Sequence, residues 1–303
     1  MISGFAKLFT HVINEQLNVW ADANDVLSDA QFGFRSHHGT TDAIFVVQSL
    51  IQKYMASGKR LYGAMIYYQK AYDYVNRGNL YYKLLQAGID SKILQVVRSM
   101  YSGVMLCVKH MDQLSDCFEN SIGLFQGEIT SPIMFSVHIN DIEPALQRNI
   151  TAGIDLDQLN IFLVLYADDC ILLSETRARL QSHLNALYEY CERWSLMLNI
   201  EKTKVMVFRK RGVILVNESW SYNGNVIKIV EQFNYLGFVL STNGLVKKGI
   251  NMLAVKARTS MGSLYSSMRG MDIPLDIKLN LCDLMCPQYY AIAQKYGVCV
   301  MQK

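Results

Sequence analysis

The stretch "NIFLVLYADDCILLSET", Asn160 to Thr176, decides how this sequence is read. An apolar run meets two adjacent aspartates, and a second apolar run follows and stops at polar residues. Both runs are short for helices and rich in residues that suit buried strands. The pattern therefore predicts a β-hairpin whose tight turn holds Ala167, Asp168 and Asp169. Aspartate is a common turn residue, and an isolated Ala-Asp-Asp turn is more often solvated than functional. The setting argues for function, because the arms are nearly free of polar groups and leave these two as the charges of a buried hairpin tip. Two carboxylates held so close raise each other's proton affinity unless a cation lies beside them, and a hard divalent ion such as Mg²⁺ is the natural occupant. Two-metal nucleotidyl transfer needs several carboxylates around ions about 4 Å apart, so a third ligand is expected from a separate strand.

Around this stretch the composition describes a folded chain. With 303 residues, 51% of them hydrophobic, there is enough apolar surface for one large or two modest domains. Only four prolines occur, and neither low-complexity tracts nor long blocks of like charge interrupt the chain. The net charge of +3 permits a nucleic-acid partner without requiring one. Arg209-Lys210-Arg211, Lys247-Lys248 and Lys256 with Arg258 are basic clusters that can meet phosphates or face water. The seven cysteines (107, 117, 170, 191, 282, 286 and 299) are scattered, with no paired C-x-x-C, and read as reduced, mostly buried thiols. His37-His38 lies in a polar loop and reads as a surface pair. No apolar run reaches the roughly 18 residues of a membrane span, and "MISGFAKLFTHVINEQL" is an amphipathic helical pattern without a cleavage site. The expected setting is intracellular, nuclear or cytoplasmic, with no membrane partner.

Apolar spacing predicts a helix over Thr41 to Ser57 behind a threonine cap, one from Asn76 to Gly88, one capped by Asp90, and one starting at Ser131-Pro132. The longest is expected from Thr176 to about Met197. Strands are predicted at 61–67, 104–109, 117–122, in the arms flanking Asp168-Asp169, and at 204–208, 226–230 and 233–240. This order favours an α+β fold over a doubly wound parallel sheet. From about Gly244 the chain turns helical, with Leu253, Ala257, Met261, Leu264 and Met268 on one face. That predicts a boundary near residue 243, dividing 1–243 from 244–303.

The tetrad Tyr166-Ala167-Asp168-Asp169 occurs together with "QFGFRSHHGTTDAIF" from Gln31, "QKAYDYVNR" from Gln69 and "FQGEITSP" from Phe125. "NIEKTKVMVF" from Asn199 and "FNYLGFVL" from Phe233 complete the set. In this order the motifs resemble the reverse transcriptases of LINE-type, non-long-terminal-repeat retrotransposons. The resemblance implies a right-hand polymerase of fingers, a palm with an antiparallel sheet, and a helical thumb-like segment after about residue 243. It implies RNA-directed DNA polymerase activity with Mg²⁺ or Mn²⁺, an RNA template, a DNA primer and deoxynucleoside triphosphates. Asp168 and Asp169 match the metal-binding pair. Tyr72 falls where the family places an aromatic ring under the sugar of the incoming nucleotide, and Gln126-Gly127 matches the turn beside nucleotide and template. Lys202 lies in the segment whose lysine can protonate the pyrophosphate. Phe233, Leu236 and Gly237 match the hairpin that holds the primer end, and Arg35 matches a fingers arginine that contacts nucleic acid.

The resemblance also exposes departures. In the first palm strand the family has an aspartate, its third metal ligand, where this chain has Tyr67. A phenol with a pKa near 10 is neutral at pH 7 and a poor ligand for Mg²⁺. Asp73 matches the family's second aspartate, which does not bridge the ions. The family's Arg-Gln-Gly-Cys-Pro-Leu-Ser-Pro becomes Phe125-Gln126-Gly127-Glu128-Ile129-Thr130-Ser131-Pro132, losing one positive charge and gaining a negative one. The upstream basic residues that grip the triphosphate and an upstream endonuclease domain are both outside this chain, and "CPQYYAIAQKYGVC" departs from the family's pattern. The expectation is an impaired or inactive polymerase; the alternative is a non-catalytic, polymerase-shaped remnant that binds nucleic acid.

Overall fold

The computed structural model describes residues 4–147, 153–156, 159–211 and 213–269, with 274 and 277. Helix α1 (Gly4–Ala23) buries Ile13, Leu17 and Trp20 on one side. Helix α2 (Thr40–Ser57) starts one residue earlier than the spacing predicts, and its cap is Gly39. Asp42 accepts a hydrogen bond from the Gly39 N–H, so a carboxylate in the first turn replaces the threonine cap. Strand β1 (Leu61–Tyr67) follows as predicted. Helix α3 (Arg77–Gln86) is capped by the Asn76 side chain, and α4 (Ser91–Met100) by Asp90.

The stretches predicted as strands over 104–109 and 117–122 shrink to two-residue pieces: β2 (Met105–Leu106), β3 (Lys109–His110), β4 (Gln113–Leu114) and β5 (Phe118–Glu119). Pairing of Leu106 with Phe118 brings the next residues face to face, and Cys107 and Cys117 form a disulfide with Cα atoms 4.6 Å apart. The reading of all cysteines as reduced is thereby corrected: ladder register, invisible in spacing, made this pair. Cys170 and Cys191 are free and buried; 282, 286 and 299 lie outside the described residues, as does the "CPQYYAIAQKYGVC" stretch.

Helices α5 (Ser131–Ile139) and α6 (Ile142–Gln147) precede the short strands β6 (Ile154–Leu156) and β7 (Leu159–Ile161). The acidic hairpin comprises β8 (Leu163–Tyr166) and β9 (Asp169–Ser174). Helix α7 (Arg177–Trp194) begins after the Thr176 cap and ends three residues before Met197, where Ser195 turns left-handed. Strand β10 (Lys204–Phe208) is followed by β11 (Ser221–Tyr222), β12 (Asn225–Val226), β13 (Lys228–Ile229), β14 (Gln232–Tyr235) and β15 (Phe238–Ser241). Helix α8 (Lys247–Met268), at 22 residues, and α1, at 20, are both longer than α7, at 18.

The central sheet has the order β13-β10-β1-β9-β8 and is antiparallel except at its edge, where β13 runs parallel to β10. Every side chain of β1 from Leu61 to Ile66 is buried, because both faces are covered. Ala64, Ile66, Leu165, Leu172 and Val207 point into a core shared with α1, α3, α5 and α7. Leu61, Met65, Ile171, Met206 and Phe208 point the other way, into a core shared with α2, the β14-β15 hairpin and α8. Ile250 and Leu253 of α8 belong to that second core. Tyr67 and Asp169 continue the second face, so the acidic turn opens beside the β14-β15 hairpin.

Candidate functional site

Residues Ala167 and Asp168 form a two-residue turn closed by the pair Tyr166 and Asp169. Ala167 has φ +54°, the left-handed value at the first central position of a type II′ hairpin turn, where glycine is usual. An alanine there costs roughly 1 kcal/mol and persists because the surroundings hold it. Residues 30–33 lie along β8, the sheet edge: the Phe32 N–H donates to Leu165 O and the Leu165 N–H to Ala30 O, both at 2.8 Å. The Ala167 N–H donates to Gln31 Oε1 at 3.1 Å.

Both aspartates are half-buried. Burial raises the pKa of Asp168, and burial together with the neighbouring Asp168 charge pushes Asp169 up to about 6. Above that pH both ionise and repel, which sets a stability prediction for the cation-free protein. The folded Asp169 binds its proton more tightly than the unfolded one, so its charge destabilises the fold above pH 6 and costs nothing below about pH 4. Asp169→Asn should therefore stabilise the fold by about 1–2 kcal/mol at pH 8, discounted for partial exposure, and leave it unchanged near pH 4. Urea unfolding at the two pH values measures this; equal gains at both would sink it.

Tyr67 is the direct ladder partner of Asp169 across β1 and β9. Burial and the charges of Asp169 and Asp168 raise its pKa, so the phenol stays neutral. Its ring centroid is 6.0 Å from that of Phe233. Tyr235, on the same hairpin as Phe233, is buried and also feels Asp169. Behind the turn, Tyr72 stacks on Phe135 at 4.9 Å, and burial plus the Asp168 charge push its pKa up to about 12.

Gln126 donates from Nε2 to Asp73 Oδ1 at 3.0 Å, which occupies the carboxylate nearest in sequence to a replacement ligand. Gly127 is left-handed at φ +78°. Glu128 is buried and accepts from the Ile129 N–H, so the added negative charge faces inward. Arg77 holds the approach to this segment through Gly123 O, Asn120 O, Asn120 Oδ1, Ile122 O and Tyr101 O.

The segment carrying Lys202 docks on the end of β1. The Asn199 N–H donates to Tyr67 O at 2.8 Å, and the Tyr67 N–H to Thr203 Oγ1 at 3.2 Å. The Lys202 side chain is exposed there. Leu236 and Gly237, both at positive φ, make the β14-β15 turn, and Lys256 Nζ donates to Gly237 O at 3.4 Å. Phe233, Leu236 and Gly237 are thus a hairpin rather than the single strand their residue types suggest. Arg35 pairs with Asp29 at 3.0 Å and Asp25 at 3.6 Å. The fold therefore brings Asp168, Asp169 and Phe233 around Tyr67, sets Tyr72 on Phe135 within the field of Asp168, and ties Arg35 to its own loop.

Among the described residues no group of three His, Cys, Asp or Glu side chains is suited to hold a metal ion. The paired aspartates offer two carboxylates, Asp73 is engaged by Gln126, and the position facing Asp169 is a phenol. This set falls short of a two-ion centre. Sequence reasoning missed Gln31, Gly33, Arg77 and Tyr235. All four lie inside the quoted motifs, which is the signal that could have found them, but their roles come from long-range packing.

A family model described as "Reverse transcriptase (RNA-dependent DNA polymerase)" matches residues 1–240. The chain is 24% identical over 311 residues to the RNA-directed DNA polymerase from mobile element jockey of Drosophila melanogaster, covering 98% of this chain and 32% of that protein. It is 25% identical over 254 residues to a probable RNA-directed DNA polymerase from transposon BS of the same organism, covering 79% and 26%. The chain thus spans about a third or less of these relatives. Among solved structures, apo telomerase from Candida tropicalis superposes with a TM-score of 0.58 at 13% identity, covering 94% of this chain and 50% of that one. Telomerase from the same yeast in complex with a TWJ fragment of telomeric RNA gives 0.53 at 16% identity, covering 95% and 47%.

Proposed function

The chain belongs to the reverse transcriptase (RNA-dependent DNA polymerase) family, and we propose that it is a fingers-and-palm unit of a LINE-type retroelement that engages primer and template but polymerises little. On this reading 1–243 is fingers and palm, and 244–303 is part of a helical thumb. The observation that carries it is the ladder pairing of Tyr67, a neutral phenol, with Asp169; on this reading a third carboxylate would be needed at that position. Mg²⁺ or Mn²⁺ finds two carboxylates, Asp168 and Asp169, and no more at that turn. The remaining residues bind and orient. Tyr72 would lie under the incoming sugar, Gln126-Gly127 beside the base, Lys202 near the pyrophosphate, the 233–237 hairpin under the primer end, and Arg35 beside the strand. The RNA complex of the telomerase neighbour supports an RNA partner for this fold. Partner binding should be electrostatic and weaken with salt.

Two measurements on one RNA–DNA primer-template decide the proposal. A mobility-shift titration should show binding that falls steeply between about 50 and 200 mM salt. Primer extension with deoxynucleoside triphosphates and Mg²⁺ or Mn²⁺ should give little product, and Asp168→Asn should change that product little. Robust synthesis that Asp168→Asn abolishes would overturn the loss of activity, and absent binding would overturn the nucleic-acid role.

A further inference from the structure

Gln31 stands out among the buried polar side chains. It is 1% exposed, and its Oε1 accepts two backbone N–H groups, from Gly33 at 2.9 Å and from Ala167 at 3.1 Å. Because both neighbours are donors, the oxygen must face them. The Nε2 group is left buried without a partner. A stranded donor costs stability, so its retention points to a demand on the oxygen. The residue it reaches, Ala167, is held in the left-handed region immediately before Asp168. Gly33 lets the two backbones meet: a β-carbon there would lie 2.4 Å from Ala167 N and 2.9 Å from Tyr166 C. A glutamate could accept the same two bonds but would add a third negative charge behind the aspartate pair. The amide supplies a neutral acceptor instead.

We infer that Gln31 is the positioning residue of the acidic turn, fixing Ala167 in its left-handed conformation and so aiming Asp168 and Asp169. It acts through the Ala167 amide and touches neither substrate nor ion. The inference rests on the proposed function for its purpose, while its geometry stands apart from it.

Backbone hydrogen exchange on the native chain tests the geometry directly. In Gln31→Met, amides from Leu165 to Asp169 should exchange at least about tenfold faster while β1 and β10 keep their protection. Gln31→Glu, which restores the acceptor, should return the turn to within about threefold of native. If Gln31→Met fails to fold, Gln31→Asn, with a shorter reach, should show the same local loss. On the Tyr67→Asp chain, Gln31→Met should lower kcat for extension by about tenfold or more with the nucleotide KM unchanged, and Gln31→Glu should recover only part of it because of its added charge. Native exchange at Ala167 in Gln31→Met, or equal loss of protection at the turn, β1 and β10, would overturn the inference and leave Gln31 a general anchor. If Tyr67→Asp does not polymerise, the proposed function suffers while the exchange result still decides the role of Gln31.

Discussion

Tyr67→Asp is expected to raise RNA-templated primer extension by about a thousandfold over the native chain, a gain of about 4 kcal/mol in transition-state stabilisation. The ladder makes this specific. Tyr67 and Asp169 are direct partners, so an aspartate at 67 would set its Cβ about 5 Å from that of Asp169, on the same face of the sheet. It would also remove a ring that packs toward Phe233. A third negative charge opposite Asp169 should destabilise the cation-free protein, because like charges facing each other across strands repel. Divalent cation should therefore raise the Tm of Tyr67→Asp more than that of the native chain. Steady-state extension and thermal melts with and without Mg²⁺ measure the two halves of the prediction. No gain in extension would place the block elsewhere in the chain.

Arg77→Ala should be the most damaging single truncation, costing about 3–5 kcal/mol in urea unfolding. Arg77 is 7% exposed and its guanidinium is satisfied by oxygens of Tyr101, Asn120, Ile122 and Gly123, with its carbon 4.8 Å from the Tyr101 ring centre. Burial lowers its pKa, yet an arginine remains charged throughout the accessible range. Removing it leaves four backbone carbonyls and an amide oxygen short of a donor at once. Arg77→Lys should recover less than half of the loss, since one ammonium cannot span this fan of acceptors. The damage should also reach Gln126-Gly127 by way of Gly123 and Leu124, whose N–H groups donate to Val75 and Tyr72. A loss below about 1 kcal/mol would contradict the clamp described.

Much of the fold was legible because local chemistry dictated it. The bounds of β1 and β10 follow from continuous apolar runs, the starts of α3 and α4 from Asn76 and Asp90, and the acidic hairpin from two apolar arms around a turn pair. The residues around Tyr67 were recognisable through the motifs that contain them. What escaped was set by partners distant in sequence. Gly39 caps α2 because Asp42 reaches back to it, and Cys107 meets Cys117 because of strand register. β13 joins the sheet in parallel because the chain returns to β10 after two short strands. Gln31 opens a motif visible in the sequence, but it matters because of an amide 136 positions away.

That separation bears on how the protein assembles. The acidic turn is four residues long, yet its left-handed conformation depends on a segment that leaves the ribosome well over a hundred residues earlier. Closing so long a loop precedes any reward from the contact, so ordering of the turn belongs to the late, high-contact-order part of folding. Until residues 30–33 dock, Ala167 has every reason to relax to negative φ and β8 remains an open strand edge. The β1–β10 pairing of the sheet joins segments just as distant, so the completed sheet and the aimed turn are acquired together, and order at the turn becomes a reporter of completed folding.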